Sequence, residues 1–375
     1  MKYATPEQQS IDVVDLKSGQ LVGTVMRRFD APEDAVKSDR WRGVALSPDG
    51  FRLATGRYTQ VSVWEVAQGR QIWSDRHDTA RPGTVLGALK FSPDGTQLVS
   101  GAWSSGPGTL WDARTGQKLQ TYELPKAVSR RSSTVAMAFD PSGTSVAMAT
   151  ARSIQVWNVA TAELIWFEES TSLYSRFSSL TFQQDGQLIA AGIENEVVIF
   201  NAETGVSVGP QDGRVDRVKS FAVSPANSQL LLGMSSGQVT VCDLNTLQSG
   251  DTWQAHKQPV DRILFSPDGR TAASSTRQDI AVHEPERSRV RHTFSIKYQK
   301  PAGVPLAFSA DGTRLMWSGT DPRNRNEICL QSISSGELLH PLLTTENLNS
   351  YDGIKTTPDG MLLARSPNHR GILSL

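Results

Sequence analysis

Arginine and aromatic side chains gather in a few polar segments of this chain, and they are its best candidates for binding chemistry. A guanidinium group pairs with a carboxylate or phosphate through two parallel hydrogen bonds, and large aromatic rings act as anchors at protein interfaces. The alternative is that these are solvated loop arginines with local partners such as Asp39 and Asp216. The candidate partner-binding residues are Arg40, Trp41, Arg42, Tyr58, Arg81, Trp103, Arg131, Tyr174, Arg176, Phe177 and Arg217.

Catalytic and metal-binding patterns are weak by comparison. Residues 233–237 match the G-x-S-x-G pattern of hydrolase nucleophiles, but that pattern requires a strand–turn–helix elbow and here it lies between two predicted strands. The six histidines lack metal-ligand spacing, and Cys242 and Cys329 are too few for a zinc site, so we expect two free, packed thiols. We predict no enzyme activity, no cofactor and no metal.

The charge balance argues against a strongly charged partner. Lys plus Arg number 38 and Asp plus Glu number 38, so no net field draws the chain to nucleic acid or an anionic membrane. No apolar run approaches a membrane-spanning length, and the first residues lack the apolar core of a secretory signal. We therefore expect a cytoplasmic protein without a membrane partner.

The elements that must position the candidate residues are set by a repeat. Eight times an apolar run is followed by a tetrapeptide close to Ser-Pro-Asp-Gly and then by another apolar run. Proline, aspartate and glycine each favour a tight turn, so the two runs are predicted to be antiparallel strands, a and b, of one hairpin. The tetrapeptides lie at 47–50, 92–95, 140–143, 183–186, 224–227, 266–269, 309–312 and 357–360.

A third strand, c, follows each hairpin and ends in a large residue plus a polar one, as in Trp64-Glu65 and Trp111-Asp112. A second turn and a short fourth strand, d, complete each repeat, and helical periodicity is absent. Successive tetrapeptides are 41 to 48 residues apart, which suits four short strands with their turns. The sequence therefore predicts an all-β fold, a β-propeller of four-stranded antiparallel blades.

The clearest single repeat carries a possible buried network. His256 precedes strand a, Ser274 lies on strand b, Asp279 lies in the b–c turn, and His283 stands where other repeats have tryptophan. In these residues and in the repeat as a whole, the chain resembles the WD-repeat family along nearly its full length. The resemblance implies that His256, Ser274 and Asp279 form a structural hydrogen-bond network. Because most other repeats lack the histidine and aspartate, it also implies a divergent, bacterial-type member.

The two ends of the chain are predicted to share the last blade. Residues 11–25 provide candidate strands c and d, whereas the eighth hairpin lies at the C-terminus. Joining them gives one domain over 1–375 with eight blades and no open edge, and seven blades is the alternative. A surplus strand at 371–375 has no assigned place.

The resemblance implies a docking platform without chemistry of its own. We predict a non-catalytic scaffold, monomeric or part of a larger multidomain protein, that binds a protein or peptide on the loops around a central channel. An acidic or phosphorylated partner would suit the arginines. The alternatives are an enzyme or small-ligand binder at the channel mouth, and nucleic-acid binding through the arginine-rich loops, which the balanced charge disfavours. A periplasmic TolB-like propeller is a further alternative, and the absence of an export signal weighs against it.

Overall fold

The protein divides into two compact units of β-strands. The N-terminal unit contains the first ten strands and the last two, and the central unit contains the nineteen strands between them. The computed structural model describes residues 9–15, 21–27, 43–57, 59–77, 86–102, 107–123, 134–150, 153–169, 177–183, 186–192, 197–208, 217–276, 278–295, 304–309, 311–320, 326–345, 354–356 and 362–365.

The N-terminal unit begins with a hairpin and continues with two complete antiparallel sheets. The hairpin consists of β1 (Gln9–Asp15) and β2 (Leu21–Arg27). Sheet 1 consists of β3 (Gly43–Leu46), β4 (Arg52–Arg57), β5 (Gln60–Glu65) and β6 (Arg70–Arg76). Sheet 2 consists of β7 (Leu86–Phe91), β8 (Gln97–Ala102), β9 (Gly108–Asp112) and β10 (Lys118–Tyr122).

The central unit contains five antiparallel sheets in chain order. Sheet 3 has β11 (Thr134–Phe139), β12 (Ser145–Thr150), β13 (Ser153–Asn158) and β14 (Leu164–Glu169). Sheet 4 has three strands in its described part, β15 (Phe177–Phe182), β16 (Gln187–Gly192) and β17 (Val197–Asn201). Sheet 5 has β18 (Val218–Val223), β19 (Gln229–Met234), β20 (Gln238–Asp243) and β21 (Gln248–Gln254).

Sheets 6 and 7 complete the central unit. Sheet 6 has β22 (Arg262–Phe265), β23 (Ala272–Ser275), β24 (Asp279–Glu284) and β25 (Arg289–Ser295), with a 3-10 turn at Pro285–Arg287 between the last two. Sheet 7 has β26 (Val304–Phe308), β27 (Arg314–Thr320), β28 (Asn326–Ser332) and β29 (Leu338–Thr345). Strands β30 (Ile354–Thr356) and β31 (Leu362–Arg365) return to the N-terminal unit.

The chain ends are joined as the sequence predicts. Sheet 8 has the order β2-β1-β31-β30, so the N-terminal hairpin supplies strands c and d to strands a and b from the C-terminus. Asp12 pairs with Arg365 and Asp15 with Leu362 at the two ends of the β1–β31 register. The described residues thus contain eight sheets, and the surplus strand 371–375 lies outside them. The closing of all eight sheets into one ring stays a prediction.

The repeated tetrapeptide makes the hairpin turn between strands a and b. In sheet 2 the Ser92 hydroxyl donates to Asp94 Oδ1 at 2.6 Å and accepts the N–H of Gln97 at 2.9 Å. Asp94 Oδ1 also accepts the N–H of Thr96 at 3.0 Å, and these bonds hold the pKa of Asp94 below its usual range although partial burial opposes the shift. Gly95 closes the turn with a φ of 70°, which glycine adopts without strain.

The polar residue that ends strand c caps the next turn. Asp112 Oδ1 accepts the N–H groups of Arg114 at 2.9 Å and Thr115 at 2.7 Å. Short carboxylate or amide side chains make this bond well because they reach the backbone two and three residues ahead. Sheets 3, 4 and 5 have the same arrangement with Asn158, Asn201 and Asp243.

The core lies between consecutive sheets, because each sheet has apolar side chains on both faces. Each cluster of buried side chains in the core spans two sheets that follow each other in the chain. The cluster between sheets 8 and 1, for example, joins Ile11 and Val13 of β1 to Leu53 of β4, all of them fully buried. Cys242 and Cys329 are buried and are not joined in a disulfide, as the sequence predicts.

A tryptophan on strand d fixes the contact with the next sheet. The indole N–H of Trp73 in sheet 1 donates to the carbonyl of Ala113 in sheet 2 at 3.0 Å, and its ring stacks 5.7 Å from Trp111. Trp166 in sheet 3 donates in the same way to Ala202 in sheet 4 at 2.6 Å, and its ring centre lies 5.5 Å from that of Phe200. The sequence analysis assigned no role to these strand-d tryptophans.

Deletion of residues 11–25 should abolish cooperative unfolding. The deletion removes the buried side chains of Ile11, Val13 and Val25 from the core beside sheet 1 and leaves β31 paired with β30 alone. We expect a broad, uncooperative transition in urea monitored by circular dichroism, and partial recovery when a peptide of residues 9–27 is added. A truncated chain that unfolds with an unchanged midpoint and slope would show that this closure does not stabilise the fold.

Replacing Gly205 by alanine should test the tryptophan contact. Gly205 has a φ of 70° and its added Cβ would lie 2.7 Å from Trp166, whereas Gly186 has a φ of 86° and no described atom within 4 Å. Both substitutions incur left-handed backbone strain of roughly 1 kcal/mol. Because only Gly205→Ala must also displace the indole, we expect it to cost about 1–3 kcal/mol more in the free energy of unfolding. Equal losses in urea titrations would contradict the proposed role of Trp166.

Candidate functional site

The predicted partner-binding residues lie mainly outside the described part of the chain. Phe177 begins β15, and Arg217 directly precedes β18 with an exposed side chain. The carbonyl of Arg217 accepts bonds from the N–H of Ser235 at 2.9 Å and from its hydroxyl at 3.0 Å. The convergence of the eleven residues therefore stays a prediction. The nine that lie outside the described residues are Arg40, Trp41, Arg42, Tyr58, Arg81, Trp103, Arg131, Tyr174 and Arg176.

The b–c turns and d–a connections leave each antiparallel sheet at the same end, and we call this end the loop face. Its best described part is the connection from β21 to β22, residues 255–261. The N–H groups of His256 and Val260 donate to Gly237 and Met234 of sheet 5 at 2.9 and 3.0 Å. The N–H of Asp261 donates to Ser275 of sheet 6 at 2.8 Å. The backbone of this loop is thus fixed to both sheets.

The G-x-S-x-G motif takes part in the same surface and has no elbow geometry. Residues 233–237 run from the end of β19 through a turn into β20, with no helix after the serine. The Ser235 hydroxyl donates to the carbonyl of Arg217, and the Gly237 carbonyl accepts the N–H of His256. The motif therefore serves as a structural turn.

Beneath the loop, five side chains form a continuous hydrogen-bond network. Trp253 Nε1 is 3.1 Å from His283 Nδ1, and His283 Nε2 is 2.6 Å from the Ser274 hydroxyl. That hydroxyl is 2.6 Å from His256 Nε2, and His256 Nδ1 is 2.7 Å from Asp279 Oδ1. The structure therefore brings together His256, Ser274 and Asp279, and it adds Trp253 from the preceding sheet.

Only one assignment of the protons satisfies every hydrogen bond in this network. The indole N–H of Trp253 can only donate, so His283 accepts at Nδ1 and carries its proton on Nε2. That proton is donated to Ser274, whose own hydrogen goes to His256 Nε2. His256 is then protonated on Nδ1 and donates to the Asp279 carboxylate. Every bond is satisfied only when both imidazoles are neutral.

Burial reinforces the neutral state of both histidines. His283 has no exposed surface and His256 is 3% exposed. Burial lowers the pKa of His283 to about 3, with a further contribution from the neighbouring His256. Burial also lowers the pKa of His256, although the Asp279 carboxylate opposes that shift.

The Asp279–His256–Ser274 series has the connectivity of a catalytic triad, but not its exposure. In a hydrolase the serine oxygen faces the substrate while the histidine takes its proton. Ser274 here is fully buried, and its oxygen lies between two imidazoles. A substrate therefore has no path to this oxygen, and the chemistry that remains is the stabilisation of the contact between sheets 5 and 6.

Parts of the same network recur in other sheets. The indole of Trp64 donates to Thr55 at 2.9 Å in sheet 1, and that of Trp111 donates to Ser100 at 2.8 Å in sheet 2. His77 is buried 3.2 Å from the carbonyl of Ser100. Sequence reasoning missed His77 because it precedes its tetrapeptide by 15 residues, whereas His256 precedes its own by 10.

The described residues hold neither a metal-ligand cluster nor a helix that could span a membrane. Within the described ranges, no group of three or more His, Cys, Asp and Glu side chains is placed to hold a metal ion. Among the same residues, no helix is long and apolar enough to cross a membrane.

Within each unit, successive antiparallel sheets pack face to face, as the blades of a β-propeller do. The crystal structure of the C-terminal WD40 domain of Sif2 has a similar fold, with a TM-score of 0.68 over 89% of this chain and 97% of that chain at 16% identity. No protein-family model matches the sequence. The chain thus has an all-β fold of the β-propeller type that is similar to the fold of a WD40 domain.

Sequence comparison with curated proteins agrees with this assignment. An uncharacterized WD repeat-containing protein of Synechocystis, sll1491, is 28% identical over 36% of this chain and 38% of its own length. The U3 small nucleolar RNA-associated protein 15 homolog of Gallus gallus is 24% identical over 79% of this chain. The match spans about half, 52%, of the length of that relative.

The buried histidines should make the protein less stable in mild acid. Their pKa values are lower in the folded than in the unfolded chain, so their stabilisation is complete above the unfolded value of 6.5 and is lost as the pH falls below it. We expect His283 alone to remove about 1 kcal/mol of unfolding free energy between about pH 7 and about pH 5.5. The turn carboxylates, whose pKa values are lowered, respond only below this window.

His283→Trp provides the matched control. Sheets 1 and 2 already hold a stacked Trp73–Trp111 pair at the position where sheets 5 and 6 hold Trp253 and His283, so a tryptophan at 283 can pack in the same way. We expect this variant to lose part of the acid dependence, as measured by urea titrations at several pH values. An unchanged slope of stability against pH would contradict the assignment of a neutral His283.

Proposed function

We propose that the protein is a non-catalytic scaffold that binds a protein or peptide partner on its loop face. The observation that carries this proposal is the fixed loop 255–261. Its backbone is bonded to sheets 5 and 6, while Lys257, Pro259 and Asp261 remain exposed. A surface that is already ordered loses little conformational entropy on binding, which favours affinity.

The chemistry of the described loop face supports a polar partner. Arg217 and Lys219 are exposed at the start of sheet 5, and Ser236 and Gln254 are exposed beside them. Gln254 donates its amide to the carbonyls of Ser236 at 3.0 Å and His256 at 2.6 Å, which places these residues side by side. Cationic and amide side chains suit carboxylates or phosphates on the partner. The predicted arginines and aromatics extend this proposal to the rest of the loop face.

Charge reversal on the loop face tests the proposal. The test variant is Arg217→Glu with Lys257→Glu, and the control is Arg270→Glu, an exposed residue at the opposite end of sheet 6. Each full-length protein is immobilised and exposed to native extract at about 0.05 and about 0.3 M salt, and bound proteins are quantified by mass spectrometry. We expect the partner to be retained by the native chain and the control and reduced about fivefold or more in the test variant.

Two results would overturn the proposal. One is equal retention of every bound protein by all three chains. The other is retention of nucleic acid with a steep loss at the higher salt, which would favour the nucleic-acid alternative because phosphate contacts release counterions.

A further inference from the structure

The outer edge of sheet 6 departs from the arrangement that sheets 2 to 5 share. In sheets 2 to 5 the residue that ends strand c is Asp or Asn, and it caps the following turn. Sheet 6 has Glu284 at this position, followed by the 3-10 turn. The carboxylate of Glu284 makes no bond to that turn backbone and faces the arginines that follow. Local departures of this kind are where functional sites are expected.

Three arginines surround this single carboxylate. Arg289 donates from Nε at 2.8 Å and lies with Nη2 at 2.7 Å from Oε2 of Glu284. Arg287 Nη1 is 3.4 Å from the same oxygen, and Arg291 Nε is 3.9 Å from Oε1. We call Glu284, Arg287, Arg289 and Arg291 the arginine cluster. The bonds from Arg289 hold the pKa of Glu284 below its usual range.

The arginine cluster has more hydrogen-bond donors than the Glu284 carboxylate can accept. The side chains of Arg287, Arg289 and Arg291 are 68%, 57% and 37% exposed, whereas that of Glu284 is 20% exposed. Each guanidinium carries five N–H groups, far more than one carboxylate can accept. Within the described residues, Glu284 is the one carboxylate within 4.0 Å of these arginines. Two other acidic residues lie close in the chain or the fold: Glu286 is exposed, and Asp251 accepts a bond from Ser288 at 2.8 Å.

The surrounding sequence is cationic over a long stretch. From residue 287 to residue 310 the chain has five Lys or Arg residues and no Asp or Glu, although the whole chain is neutral. The other outer strands differ: β14 ends in two glutamates, and β21 carries Asp251. Edge strands often carry charge that prevents aggregation, but that role requires neither a single sign nor a shared carboxylate.

Sheet 1 shows what the same position looks like without the extra arginines. Its strand c ends in Glu65, which accepts bonds from Arg70 Nε at 3.2 Å and Nη2 at 2.8 Å. This pair is the counterpart of Glu284 and Arg289. The described part of sheet 1 has no counterpart of Arg287 or Arg291 beside it. The two additional guanidinium groups are therefore not needed to build the turn.

We propose that the arginine cluster docks an acidic, extended segment of a partner protein on the outer strand of sheet 6. The Glu284–Arg289 pair fixes the middle of the cluster, and Arg287 and Arg291 on either side pair with carboxylates of the segment. The surface is separate from the loop face, so this proposal does not depend on the one above.

Binding of a fluorescent oligoglutamate peptide to the full chain tests the docking site. The test variant is Arg287→Ser with Arg291→Ser, which leaves the Glu284–Arg289 pair intact. The control is Arg70→Ser with Arg76→Ser, which removes the same charge from the exposed outer strand of sheet 1. Fluorescence anisotropy should show a dissociation constant about fivefold or more higher in the test variant, and a change below about twofold in the control. Unfolding midpoints of both variants establish that each is folded.

Three results would overturn this proposal. The first is no saturable binding of the peptide to the native chain. The second is an equal loss in both variants, which would mean general electrostatic attraction. The third is tighter binding of an oligothymidylate of matched charge that is lost in the test variant alone, which would make the cluster a nucleic-acid site.

Discussion

The fold depends on the burial of the apolar faces of the sheets against neighbouring sheets within each unit. Strands that are apolar on both sides cannot stand alone in water, and each repeat leaves two such faces. The core clusters accordingly lie between sheets rather than within them, as in the contact of Ala54 and Val63 with Leu86 and Leu98. Polar contacts between the sheets add to this apolar packing. The tryptophans of strand d and the histidine network help to align one sheet with the next, because each donates a hydrogen bond to a particular group in the adjoining sheet.

Much of this architecture can be read from the sequence because it is encoded locally. Ser92, Asp94 and Gly95 form their turn through bonds within five residues, so the same letters give the same hairpin wherever they recur. Strand c ends where an aromatic and a polar residue meet, because the polar side chain caps the turn two and three residues on. The shared sheet 8 follows from the same counting, since a missing pair of strands at one end matched a surplus at the other.

The sequence does not predict which side chains of one sheet contact which side chains of the next. Trp253 is one of nine tryptophans in the chain, and it bonds to His283, which lies 30 residues further on. A turn motif or strand pattern relates only residues that are near each other in the sequence, so it does not predict this bond. His77 was not recognised as the counterpart of His256 because more residues separate it from its tetrapeptide. The arginine cluster was missed for a related reason: Glu284 was read as one more strand end, although its longer side chain reaches the next strand instead of the turn. The candidate partner-binding residues were chosen by residue type and by their position between predicted strands, and their mutual placement stays a prediction.

The pairing of β1 with β31 has a consequence for the order of events during synthesis. The strands that meet there are separated by almost the whole chain, since Asp12 faces Arg365. Contacts of such separation form late and carry a large loop-closure cost. The β1–β2 hairpin therefore leaves the ribosome about 350 residues before β31, the strand that pairs with β1. Until β31 is made, β1 has β2 as its one strand partner, so the nascent chain presents an unpaired strand edge while the sheets between them are synthesised.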